Sequence, residues 1–157
     1  MAGDGNRTAD PADLAVRAGN SYPPPHDAAS AGRRKRALGD AVGVTQFGVN
    51  LVEVPPGTDS SQRHWHSRED EFVYILDGEL VLVTDAGEQV LGPGAVAGFP
   101  AGSGDGHKLV NRGEATAVYL EVGSRIAGDE VEYSDIDMAA RIVDGHRRFV
   151  RKDGTPY

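Results

Sequence analysis

The chain contains no cysteine. Disulfides, thiolate metal ligands and cysteine nucleophiles are therefore all excluded, and the redox compartment leaves no mark on the sequence. No apolar run approaches the roughly 18 residues needed to span a bilayer, so no membrane partner is expected. The first twenty residues lack a continuous apolar stretch, so no secretory signal is expected and the cytoplasm is the default location. Positive charge is also short. The formal net charge of −8 favours solubility and argues against a general nucleic-acid binder, whose domain would be basic. What remains is ordinary for a globular protein: 157 residues, 39% hydrophobic and 25% charged, enough for one domain with a real core.

Residues 1–30 are rich in Ala, Gly, Asp, Ser and Pro, including Pro23-Pro24-Pro25. Such a segment buries too little apolar surface to offset its ordering entropy, so it reads as a flexible or extended arm. Asp13 to Val16 reads as a short helical turn, and His26 as a solvated arm residue. The basic run Arg33-Arg34-Lys35-Arg36 reads as a solvated patch.

From Thr45 the pattern becomes that of short strands broken by turn residues. Pro55-Pro56-Gly57, Asp77-Gly78, Asp85-Ala86-Gly87 and Gly92-Pro93-Gly94 punctuate runs rich in Val, Leu and Phe. Asp77-Gly78 suits a tight hairpin. Near-regular strand spacing with no helix-period segment of useful length predicts an all-β, antiparallel sandwich or barrel over residues 31–126. Residues 127–157 form a short C-terminal extension in which Val131 and Tyr133 suggest an edge strand and Ile136 to Ile142 a helical turn or two. Its acidic segment Asp129 to Asp137 and basic segment Arg147 to Lys152 can pair.

The chemistry concentrates in His64-Trp65-His66-Ser67-Arg68-Glu69-Asp70-Glu71. In a strand, side chains at i and i+2 leave the same face, so His64 and His66 point together and Trp65 points away. Neutral imidazole is the commonest metal ligand among side chains. Glu71 shares parity with Val73 and Ile75, which places a carboxylate on an apolar face, a costly arrangement unless it is paired or metal-bound. Glu69 and Asp70 fall in the turn, where a solvated carboxylate needs no explanation. His107 follows a loop with three glycines and opens a strand whose Leu109 and Asn111 share its face. Asn111 reads as structural or supporting rather than as a ligand.

These spacings resemble the two motifs of the cupin superfamily. The first is matched by Gly57, His64, His66, Glu71 and Gly78, with four residues between His66 and Glu71. The second is matched by Gly94, Pro100, Gly102, His107 and Asn111, with four residues between Gly102 and His107 where two are usual. The resemblance implies a single antiparallel jelly-roll β-barrel holding one divalent transition metal on His64, His66, Glu71 and His107, with two coordination positions open. Mixed nitrogen and oxygen donors suit Fe, Mn, Ni, Co, Cu or Zn, and affinity order alone does not choose among them.

Because one fold hosts many chemistries, function must come from the site. The leading expectation is a metal-dependent enzyme acting on a small oxygenated organic molecule, of oxygenase or lyase type, since an open metal position polarises an oxygen or binds dioxygen. Alternatives are a non-redox isomerase or epimerase, a small-molecule binding or sensing cupin, and a metal-free barrel. Gln62 shares parity with His64 and His66 and is a candidate substrate contact. Glu121 and Tyr119 share parity late in the barrel without a clear role. The pocket wall is expected to be apolar through Val73, Ile75 and Leu109. Arg63 and Lys108 have the wrong parity to face inward, which tilts the expectation away from phosphorylated sugars. Phe72, Tyr74 and Leu76 form a second apolar face that predicts a homodimer.

Overall fold

The computed structural model describes residues 8–157. The part of the expected N-terminal arm before residue 8 lies outside the described residues. Thirteen strands follow in chain order: β1 (Arg17–Ala18), β2 (Arg34–Ala37), β3 (Phe47–Val54), β4 (His64–His66), β5 (Glu71–Asp77), β6 (Leu80–Thr84), β7 (Gly87–Leu91), β8 (Val96–Phe99), β9 (Lys108–Val110), β10 (Ala117–Ser124), β11 (Val131–Tyr133), β12 (Ala139–Val143) and β13 (His146–Val150). A four-residue helix, Leu38–Ala41, separates β2 from β3. No described helix is long and apolar enough to cross a membrane.

The strands form three antiparallel sheets, ordered β1-β2-β3-β10-β5-β8, β13-β12-β11-β4 and β7-β6-β9. The ladders are not joined into a closed cylinder, so the sequence-based expectation is met as an antiparallel sandwich rather than a closed barrel. Period-2 alternation explains the packing. Val52, Val54, Val73, Ile75 and Tyr119 of the six-stranded sheet meet Leu80, Leu91 and Leu109 of the three-stranded sheet in the main core. A second core joins Val131, Tyr133, Met138 and Ala140, with Tyr22, Ile136 and Phe149 packed against it.

Five local expectations are corrected. Asp77-Gly78 does not close a hairpin, because β5 pairs with β10 and β8 whereas β6 pairs with β7 and β9. Gly78 instead carries the chain from one sheet to the other. It has φ 72°, and a Cβ there would lie 2.8 Å from the Cα of Ala117. Ile136 to Ile142 is not helical: residues 139–143 pair with β13, and Val131–Tyr133 lies inside its sheet, between β12 and β4. The basic run is not a free patch. It forms β2 against β3, with Arg36 paired to Glu53 and Lys35 Nζ 2.5 Å from Glu121 Oε1. The described part of the arm is docked: β1 pairs with β2, Ser30 is fully buried, and the Tyr22 ring lies 5.5 Å from that of Tyr133.

Candidate metal centre

Three segments converge where the two cores meet. β4 presents His64 and His66 on one face, as the i, i+2 rule requires, and pairs with β11 through His66↔Val131 and His64↔Tyr133. His107 reaches the same place because its backbone exchanges two hydrogen bonds with His64, N–H to carbonyl at 2.9 and 3.1 Å. Gly106 permits that approach, since a Cβ there would fall 2.0 Å from Ser134 Oγ. Glu71 begins β5, with Val73 and Ile75 buried behind it while Phe72, Tyr74 and Leu76 face outward. The parity argument for Glu71 therefore matches the structure.

Glu71 Oε2 sits among three imidazole nitrogens, 3.5 Å from His64 Nε2, 3.5 Å from His66 Nε2 and 3.1 Å from His107 Nε2. The donor atoms of His64, His66 and Glu71 all lie within 4.8 Å of one another. The backs of two rings are anchored. His64 Nδ1 donates to the Gln62 carbonyl at 2.8 Å and His66 Nδ1 donates to Asp129 Oδ2 at 2.7 Å. A carbonyl and a carboxylate only accept, so both Nδ1 atoms carry hydrogen and both Nε2 lone pairs are free to face Glu71. The His107 ring stacks on Phe99 at 3.5 Å, and its Nδ1 is buried without a hydrogen-bond partner, as is Glu71 Oε2. Three imidazoles and a buried carboxylate oxygen lacking a hydrogen bond fit a divalent transition metal better than calcium or magnesium.

The electrostatics agree. Burial alone raises the Glu71 carboxyl, but the His107, His64 and His66 imidazoles beside it outweigh that and hold the group well below the usual carboxylate range. Burial likewise lowers His64, and Glu71 reverses that, leaving it raised. His107 stays lowered, because burial dominates there. The Asp129 side chain is 1% exposed. Burial raises its carboxyl, yet His66 and the backbone N–H groups of Arg68 and Glu69 bring it below its ordinary value. Its Oδ2 also accepts from Arg147 at 2.9 Å.

A cavity of about 130 Å³ opens beside the cluster. Val73 and Leu109 line it as expected, but Ile75 does not. Arg33, Lys35 and Glu121 also line it, so the wall is not the mostly apolar one expected from parity. Arg63 and Lys108 do point elsewhere, to Asp135 and Asp59. Gln62 is absent from the lining: its amide donates to the His26 carbonyl at 2.7 Å, and it serves His64 through its backbone. Its expected parity fails because β4 begins only at His64. Glu69 is not simply solvated, since its Oε1 accepts from Ile126 N–H at 2.9 Å. Asn111 is structural, bonding the Val54 and Ala115 carbonyls. Reasoning from sequence missed Arg33, Lys35 and Asp129. The first two carried a signal in the basic run; Asp129, in an acidic tail segment, carried none.

The cupin domain family matches residues 50–123, which contain all four cluster residues. A crystal structure from Silicibacter pomeroyi, described as a sugar phosphate isomerase from a cupin superfamily, is 46% identical over 96% of each chain, with a TM-score of 0.92. The chain belongs to the cupin superfamily. A second solved structure, of a candidate sugar phosphate isomerase from Acidithiobacillus ferrooxidans, is 31% identical over 81% of each chain, with a TM-score of 0.73. The polyketide cyclase RemF from Streptomyces resistomycificus is 25% identical over 74% of this cupin and 78% of its own chain, with a TM-score of 0.59. No curated protein matches this cupin.

Proposed function

We propose that this cupin binds one divalent transition metal through His64, His66, Glu71 and His107 and isomerises a small phosphorylated hydroxy-carbonyl compound without net redox change. One observation carries the reading: a single cavity places the histidine–carboxylate cluster beside Arg33 and a second carboxylate, Glu121. The 46% identical relative described as a sugar phosphate isomerase supports the same class. The tilt away from phosphorylated sugars rested on an apolar wall without inward cations, and Arg33 and Lys35 in the lining remove that premise.

A bound metal would polarise the substrate oxygen and so acidify the adjacent C–H. Moving that proton between neighbouring carbons requires a base within reach. Glu121 has Oε1 occupied by Lys35 Nζ at 2.5 Å and by Asn50 Nδ2 at 3.2 Å. These two donors orient its carboxylate, leaving Oε2 for the substrate. Tyr119, fully buried beside it, is held protonated: burial and the Glu121 charge both raise its phenol well above the ordinary value.

The test is to strip the protein with chelator, reload it separately with Mn(II), Fe(II), Ni(II) and Zn(II), and follow aldose and ketose phosphates by proton NMR in deuterated water. The expected result is interconversion that incorporates solvent deuterium and ignores oxygen. Stoichiometric oxygen uptake with iron alone would restore the oxygenase reading.

For assembly, we propose a second copy of the chain over the outer face of β5 and β8, where Phe72, Tyr74, Leu76 and Val96 are 41%, 39%, 42% and 54% exposed. Light scattering at micromolar concentration should give twice the 16.6 kDa chain mass; a monomer would sink this part of the proposal.

A further inference from the structure

Next to the candidate metal centre lies a second cavity, of about 200 Å³, lined by His64 and His66 but not by Glu121. Tyr22, Arg33 and His64 line both cavities. Its charge is one-sided. Two guanidiniums, Arg33 and Arg147, line it together with Asn20, Ser21, Tyr22 and Tyr133, and no aspartate or glutamate is among its lining residues.

The two arginines differ. Arg147 is partly neutralised by Asp129 at 2.9 Å. Arg33 has no carboxylate partner among the described residues. Its Nη1 and Nη2 donate to the backbone carbonyls of Ser60 and Gly19 at 2.8 and 3.1 Å, and its Nε is buried without a hydrogen-bond partner. Carbonyls fix the position of a guanidinium but do not cancel its charge. Arg33 is partly buried, and a cation partly withdrawn from water without a counter-charge gains from an anion supplied from outside. A planar guanidinium held in place, with the hydroxyls of Ser21, Tyr22 and Tyr133 lining the same cavity, suits the tetrahedral oxygens of a phosphate group.

We propose that this second cavity is an anion subsite that takes a phosphomonoester or free phosphate, with Arg33 as its principal ligand and Arg147 as a weaker one. Its use as the substrate's phosphate site rests on the isomerase reading; its capacity to bind the anion does not. A substrate seated this way carries its phosphate on one side of His64 and its reacting carbons on the other, toward Glu121. The segment before the first long strand thus supplies specificity as well as cover.

The experiment titrates chelator-stripped full-length protein with inorganic phosphate and with methyl phosphate by calorimetry. It compares wild type with Arg33→Gln, Arg33→Lys and Arg147→Ala, and uses Arg112→Ala, a surface variant at an exposed pair with Glu88, as control. Stripping the metal prevents the anion from being counted through the metal centre. Wild type and the Arg112 variant should bind one anion per chain. Arg33→Gln should weaken binding roughly tenfold or more, the loss of a charge-assisted hydrogen bond, and Arg147→Ala by less. Arg33→Lys keeps the charge and should recover part of the loss, which guards against a variant that merely misfolds. Tighter binding of methyl phosphate than of inorganic phosphate assigns the site to an esterified ligand; the reverse assigns it to free phosphate. Failure of wild type to bind either anion, or equal affinity in folded Arg33→Gln, overturns the proposal. Arg33-dependent phosphate binding without turnover of any sugar phosphate would leave the subsite standing and remove the isomerase reading. Turnover with a KM indifferent to Arg33→Gln would keep the isomerase reading and remove the cavity's use as the substrate's phosphate site.

Discussion

The site is assembled from two regions that differ in how their parts find each other. Between residues 57 and 111 the candidate ligands are fixed by short-range pattern: His64 and His66 by strand parity, Glu71 by its place on β5, and His107 by a backbone bridge to His64. The flanking regions, residues 8–37 and 127–157, contribute groups that surround those ligands: Tyr22, Arg33 and Lys35 from one side, Asp129, Tyr133 and Arg147 from the other. The central region provides the histidine–carboxylate cluster, and the flanks supply part of what surrounds it. Two cupins with the same central motif can therefore differ in substrate because their flanks differ.

The comparison predicts a gradient of effects. Replacing His64 and His66 together with Ala should abolish stoichiometric metal binding, read by elemental analysis of protein purified without chelator or nickel resin. Full metal content in the double variant would place the metal elsewhere. Glu121→Gln should retain metal and lower kcat by roughly 100-fold or more, as expected for loss of a general base. A kcat within about threefold of wild type would remove Glu121 from the chemistry.

Asp129→Asn tests the flank's hold on a central ligand. It removes the carboxylate that fixes the His66 ring and should weaken metal affinity about tenfold, measured by competition with a chromogenic chelator. Unchanged affinity would mean that β4 alone orients His66. Tyr22→Ala tests the flank as cover. Its ring packs on Tyr133 and Phe149 at 5.5 and 5.7 Å between centroids, so the loss should be about 2 kcal/mol in urea unfolding, with metal content intact. No change in the unfolding midpoint would show that the N-terminal segment docks without contributing stability.

This division also explains what the sequence made legible. Strand parity and motif spacing are local, so the all-β class, the four cluster residues and the outward face of β5 could be read directly. Docking of the termini is not local. Arg33 sits in a run whose composition reads as solvated, and only pairing of β2 with β3 turns Lys35 toward Glu121. Asp129 resembles any acidic loop residue until β11 aligns with β4 and brings it to His66, 63 residues earlier. Residues 136–142 failed as a helix because hairpin pairing with β13 overrode a weak local pattern. Gln62 failed because one residue of irregular backbone before β4 is enough to break a period of two.

The hydrogen bond from His66 to Asp129 has a consequence in time. On the ribosome, His66 emerges well before its acceptor, and at roughly 5–20 residues per second the 63 intervening residues take several seconds to a little over ten. During that interval the imidazole is free to present either nitrogen. A nascent chain held short of residue 129 should therefore capture metal loosely and exchange it quickly. Emergence of residue 129 would then lock the ring and slow that exchange, making the arrival of Asp129 the step that commits any bound ion.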